Sequence, residues 1–198
     1  MRKSLLSLCA ALVFLAATAF AQSANSNQSN MNQQDRDFAN TVAQANLGEI
    51  AMGNLAQQKA SNDAVKQFAK TIVDDHTNAG QQLKNWASQS SFTLPTGITP
   101  EDSSAKASLS SASGSQFDQK FIQTQLQDHK KAIALFEKQL KEGQDPKLKE
   151  FAQTTLPVLQ DHMRIAEDLA GKLGLSGKMG LSDQSKAVNS GSQPPKYR

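Results

Sequence analysis

The three histidines of this chain, His76, His129 and His162, are its best candidates for chemistry, and each falls where a helical stretch is otherwise apolar. At roughly 100° per residue, His76 follows Ile72 by one turn and precedes Ala79 by another, while Asp74 and Asp75 turn aside. His129 shares a stripe with Ile122, Ile133 and Phe136, and His162 shares one with Leu159 and Ala166. Glu49 returns to the direction of Phe38, which puts a carboxyl in the middle of a fourth stripe. An apolar stripe takes about a third of helical directions, so three chance placements have odds of about one in thirty. All four residues lie near the middle of their stretches, which would bring them to one height.

Two readings of that polar centre follow. Three imidazoles and a carboxylate can ligate one divalent transition metal, and nitrogen and oxygen donors suit zinc, iron, copper or nickel better than calcium. Alternatively, Glu49 and the histidines satisfy one another as a buried hydrogen-bond network, which interior polar groups require. Each histidine also follows an aspartate: Asp75, Asp128 and Asp161. Carboxylates often orient a ligating imidazole from behind. Neighbouring residues on a helix do not face each other, so these aspartates either serve a histidine on another helix or form a solvated flank. The residue types for other chemistries are missing. Cys9 is the only cysteine, and no Ser/His/Asp arrangement, phosphate loop or zincin motif is present, so no catalytic residue is assigned and an enzyme is not expected.

The elements that must hold these groups are four stretches with helical period. The first, about 35–60, aligns Phe38, Val42, Ala45, Met52 and Ala56; the second starts at the capping-type residues Ser61, Asn62 and Asp63 and aligns Val65, Phe68, Ile72, Leu83 and Trp86. The third, about 115–142, carries Phe121, Ile133, Phe136 and Leu140, and the fourth opens with Asp145 as N-cap and Pro146 at the first helical position. Trp86 belongs to the core, and Asp118, inward near the start of the third stretch, suits capping or helix-dipole complementarity. Pro157 interrupts the fourth stretch and leaves the Gln153 carbonyl without its helical donor.

Short connections make the first two stretches one antiparallel hairpin and the last two another. Residues 91–114 separate them, with a short capped helix expected at Thr99, Pro100 and Asp102, and at roughly 3.3 Å per extended residue this segment can run the length of a bundle. The expected fold is therefore all-α, a ferritin-like four-helix bundle with one long crossover between the second and third long helices. VKQFAKT in the second stretch recurs as LKEFAQT in the fourth, as duplication of a helical hairpin would produce.

The N-terminal residues MRKSLLSLCAALVFLAATAFAQS read as a secretory signal cleaved after Ala21. Residues 22–34 are a polar leader and 175–198 an aperiodic tail, both expected to be disordered, around a domain at 35–174. Without Arg2 and Lys3, 19 basic side chains face 18 acidic ones, which argues against a nucleic-acid partner. No later segment is apolar enough to span a membrane. The expected location is outside the cytoplasm, in the periplasm or associated with the outer membrane.

Three segments, EIAMGNLAQQKASNDAVKQFAKTIVDDHTNAGQQLK, SGSQFDQKFIQTQLQDHKKAIALFEKQ and DPKLKEFAQTTLPVLQDHMRIAEDL, resemble the bacterial exported family called domain of unknown function 4142, also described as predicted outer membrane proteins. The resemblance runs from about Phe38 to Gly171. It implies a ferritin-like helical fold and an envelope location, and carries no established activity. Ferritin-like di-iron enzymes use Glu-x-x-His pairs. Here Val73, Leu126 and Leu159 stand three residues before the histidines, so a ferroxidase centre is not implied.

Overall fold

The computed structural model describes residues 31–175. The signal segment, residues 22–30 of the leader and residues 176–198 of the tail lie outside these residues. All regular structure among the described residues is helical: α1 (Gln33–Lys59), α2 (Asp63–Gln89), α3 (Pro100–Ser110), α4 (Gly114–Glu142) and α5 (Pro146–Lys172). None of these helices is long and apolar enough to cross a membrane.

The helix starts follow local chemistry. Asn62 Oδ1 accepts from the amides of Ala64 and Val65, and Asp145 Oδ1 accepts from those of Lys147 and Leu148, satisfying donors that the first turn leaves free. Thr99 and Asp102 form a reciprocal capping box at the start of α3, with Pro100 in its first turn. The polar leader ends earlier than expected. Asn32 caps α1 by accepting from the Asp35 amide, so Gln33 and Gln34 are already helical. Leu175, assigned to the tail, is buried.

Each long helix buries one face. α1 packs along α2 and α4 along α5, while α1 also meets α4 and α2 meets α5; α3 rests on α1 and α4. Two apolar clusters result. One gathers Met52, Val65, Phe68, Phe117, Phe121 and Leu169, and the other Phe38, Val42, Leu83, Trp86, Phe136 and Phe151. Trp86 is core, as expected, and its indole N–H donates to Asp145 at 3.2 Å. Between the two clusters the helices carry Asn46, Glu49, His76, Gln125, His129 and His162, all buried.

Two buried aspartates tie the hairpins together. Asp35, in the first turn of α1, accepts from the side chain of Gln139 and from the amides of Gln144 and Asp145, in the turn between α4 and α5. Asp118, near the start of α4, accepts from the Ser61 hydroxyl and from the amides of Ser61 and Asn62, in the turn between α1 and α2. Asp118 therefore caps the opposite hairpin rather than its own helix. One sequence spacing separates Asp35 from Asp118, Phe38 from Phe121, Asn62 from Asp145 and Phe68 from Phe151. The repeat in VKQFAKT and LKEFAQT extends over both hairpins.

Candidate metal centre

Three helices deliver the histidines to one layer: His76 from α2, His129 from α4 and His162 from α5. One ring nitrogen of each lies within 4.8 Å of one from each of the others. His129 Nδ1 lies 3.0 Å from the Gln125 carbonyl oxygen, His162 Nε2 lies 2.9 Å from Asp75 Oδ2, and His76 Nδ1 lies 2.7 Å from Asn46 Oδ1.

Those partners dictate the tautomers. A carbonyl or a carboxylate oxygen only accepts, so each of these three nitrogens carries the proton and donates it. In neutral rings the lone pairs then sit on His129 Nε2, His162 Nδ1 and His76 Nε2. The first two face each other at 3.1 Å, and the third has no hydrogen-bond partner. Two lone pairs at that distance repel unless a proton or a metal cation lies between them. A tetrahedral zinc ion bonded to nitrogen at 2.0–2.1 Å holds its donors about 3.3 Å apart. His129 and His162 thus turn lone pairs toward each other, and an oxygen fixes one nitrogen of each of the three rings, the arrangement usual behind metal-bound histidines.

Burial sets the charge of the layer. It lowers His129 to about 3, with repulsion from His162 adding to the effect and the Gln125 carbonyl opposing it. Burial, then the two neighbouring imidazoles, also holds His76 well below the ordinary imidazole value. Glu49 is pushed up to about 8 by loss of water, against the opposing hydrogen bond from Gln125. At neutral pH, His76 and His129 are neutral rings and Glu49 is largely a neutral acid.

The structure separates the other sequence candidates. Glu49 does not join the three nitrogens; its carboxyl accepts from Gln125 Nε2 at 2.7 Å. The reason is helical rise. Asn46 is the α1 residue level with His76, and three residues further on Glu49 stands about 4.5 Å along the axis. Asp75 does serve a histidine on a neighbouring helix. Asp128 lies within 3.7 Å of Lys131, and its carboxyl is raised mainly by burial. Asp161 is on the solvated flank, where it accepts from Arg164 at 2.6 Å. Sequence reasoning missed Asn46 and Gln125. The repeat could have found Asn46, because the spacing that relates Asp35 to Asp118 also relates Asn46 to His129.

Glu49, Asn46 and the three histidines line a cavity of about 360 Å³, continued by Val42, Ala132, Leu135, Phe136 and Leu159. Its exposed edge includes Glu101 and Lys131, paired at 2.7 Å, with Asp102 and Asp128 beside them. α3 reaches this edge because residue 48 is glycine: a Cβ there would meet Asp102 Cγ at 2.8 Å.

The family model for a domain of unknown function, DUF4142, matches residues 20–169. The chain is a member of the DUF4142 family. No curated protein matches it. Solved structures similar to this DUF4142 chain include a DUF305 fragment from Deinococcus radiodurans, with a TM-score of 0.63 and 17% identity, covering 73% of this chain and 97% of the other. A DUF305 protein of Streptomyces coelicolor, described as secreted, aligns with a TM-score of 0.61 and 14% identity over 69% of this chain and 90% of that one. At such identities the likeness shows a shared helical fold.

Proposed function

We propose that this DUF4142 protein is exported and binds one divalent transition metal through His76, His129 and His162. The scaffold is a ferritin-like four-helix bundle in which the connection bearing α3 is the crossover, a reading supported by the pairing of α1 with α2 and of α4 with α5. One observation carries the metal assignment. Three buried imidazoles each bring a ring nitrogen within 4.8 Å of one from each of the others, while an oxygen holds one nitrogen of every ring. Zinc, iron, copper and nickel all suit such donors. Three protein ligands leave a position for a further donor. The role is binding rather than catalysis, since no nucleophile or proton-transfer pair is assigned.

Export is supported by the signal-like N-terminus and by the description of the Streptomyces relative as secreted. Under this reading the mature chain begins near Gln22 and is recovered from the envelope or the medium, which mass spectrometry of the exported protein checks.

The competing reading is a metal-free network in which His129 and His162 share a proton, favoured by their 3.1 Å contact. Titration of the metal-free chain with zinc, iron, copper and nickel separates the two. The metal reading expects saturable binding of one ion, abolished by His129→Ala and retained by Glu49→Gln. Absence of saturable binding by every one of the four ions establishes the network instead, and elemental analysis of protein from its native envelope identifies the resident ion.

A further inference from the structure

The tri-histidine layer opens onto a chamber that the metal assignment does not use. Its volume of about 360 Å³ has room for about a dozen non-hydrogen atoms at ~30 Å³ each, within the size range of small-molecule pockets. The walls away from the histidines are side chains such as Val42, Leu135, Phe136 and Leu159. Alkyl and ring carbons there lose contact with water and gain apolar neighbours.

Two buried polar atoms beside the chamber have no partner. Asn46 is 6% exposed, and its Oδ1 is engaged by His76 while its Nδ2 donates to nothing; His76 Nε2 is likewise free. A buried amide N–H without an acceptor is costly, and Asn46 lines the chamber, so a small displacement of its side chain would let an oxygen brought into the chamber satisfy it. Charge at the entrance narrows the choice. Glu101, Asp102 and Asp128 stand there against Lys131 alone, and Asp75 lies behind His162. An anion would have to pass three carboxylates and enter a site of low dielectric, both unfavourable.

We propose that the chamber receives a small uncharged, largely apolar molecule carrying one hydrogen-bond-accepting oxygen, held by Asn46 Nδ2 beside the tri-histidine centre. A ketone, an aldehyde or an ether has this chemistry. The placement rests on the metal reading only in that the same oxygen lies next to the position that three ligands leave on the ion.

Cyclohexanone, cyclohexanecarboxylate and cyclohexylamine share one ring and differ in head group, so they serve as probes. Each is titrated into the full chain, metal-free and cobalt-loaded, by ligand-detected NMR and by the visible spectrum of the cobalt form. Cyclohexanone is expected to bind saturably in both forms, at least about tenfold more tightly than the carboxylate, and to alter the cobalt spectrum. Ala132→Phe, or Ala45→Phe should the first fail to fold, is expected to fill the chamber and abolish ketone binding without changing cobalt stoichiometry. Asn46→Leu is expected to weaken the ketone while keeping the chamber.

The ammonium of cyclohexylamine has no lone pair for Asn46 Nδ2 and is also expected to bind at least about tenfold more weakly than the ketone. The proposal is overturned if cyclohexanone binds neither form, if the carboxylate or the amine binds as tightly, or if both filling variants fold and leave ketone affinity unchanged. Its failure is distinct from that of the metal reading. Saturable cobalt uptake without ketone binding removes only the chamber, whereas ketone binding to protein that takes up no metal upholds the chamber and removes the metal.

Discussion

Asp75 sits beside His76 in the sequence yet acts on His162, and that displacement governs the centre at the scale of single residues. Its carboxylate fixes which nitrogen of His162 holds the proton, and therefore which one turns a lone pair to His129. Asp75→Asn keeps the shape but can present an N–H to the ring, removing the preference for that tautomer. The expected result is a 10- to 100-fold loss of metal affinity, in the range found for such supporting partners, with the fold intact by circular dichroism. Competition against a chelator measures it, and unchanged affinity would show that the tautomer does not depend on Asp75.

Glu49 gives a second prediction at this scale. Folded, its carboxyl is pushed up to about 8 from an ordinary 4.5, so the folded protein holds a proton that the unfolded chain releases between these values. Stability contributed by this group is full below about pH 4.5 and is lost as pH rises through 8. His129, lowered from 6.5 to about 3, works in the opposite sense: its contribution is present above 6.5 and is lost as pH falls toward 3. His76, also held below its ordinary value, acts in the same sense as His129, so between pH 6.5 and 8 the contributions of both histidines are nearly complete and a net loss of stability belongs to Glu49. Urea unfolding of the metal-free wild type should lose roughly 1–2 kcal/mol across that interval, and Glu49→Gln should remove that loss. Equal slopes in the two proteins would remove Glu49 as the cause.

At the scale of elements, caps and stripes were legible in the sequence because they depend on residues within a turn or two. Asn62, Thr99, Pro100, Asp145 and the inward sides of the four long helices were all identifiable on that basis. Periodicity alone puts Glu49 with the three histidines, whereas the structure leaves it out of their group, because angular periodicity says which way a side chain points and little about its height. A difference of three residues is enough to move a carboxyl out of an imidazole layer. Asn46 and Gln125 escaped notice because an uncharged amide on a helix reads as surface filler until its partner is known. The sequence marks Asp118 as a capping group but not the turn that it caps, since its partners lie 56 and 57 residues away.

The paired ties made by Asp35 and Asp118 carry a prediction of their own. Each satisfies backbone amides in the turn of the opposite hairpin, and removing the carboxylate strands those donors. Asp35→Ala and Asp118→Ala are each expected to destabilise the protein by about 2–3 kcal/mol, read as a fall in the denaturation midpoint. A loss at one end only would show that the ends are not equivalent.

At the scale of the whole molecule, the polar layer separates two apolar clusters, so whatever fills it influences both. An ion that binds only the folded chain adds about 2.7 kcal/mol of stability at a hundredfold excess over its dissociation constant. Zinc at saturating concentration is therefore expected to raise the melting temperature, and the rise should vanish in the His129→Ala variant. A rise of equal size in both would place the ion elsewhere.

The repeat supplies the molecule with its own control experiment. Asn46 and His129 occupy corresponding positions in the two hairpins, and each reaches Nδ1 of a histidine on its partner helix: Asn46 to His76 at 2.7 Å, His129 to His162 at 3.1 Å. In one half that contact is closed by a donor and an acceptor. In the other half, two nitrogens of the same polarity meet. The first hairpin thus shows what the second would be without its demand for positive charge, and His129→Asn would close the second contact too, with the amide N–H donating to the lone pair of His162 Nδ1. The frustrated contact has a satisfied twin in the same chain.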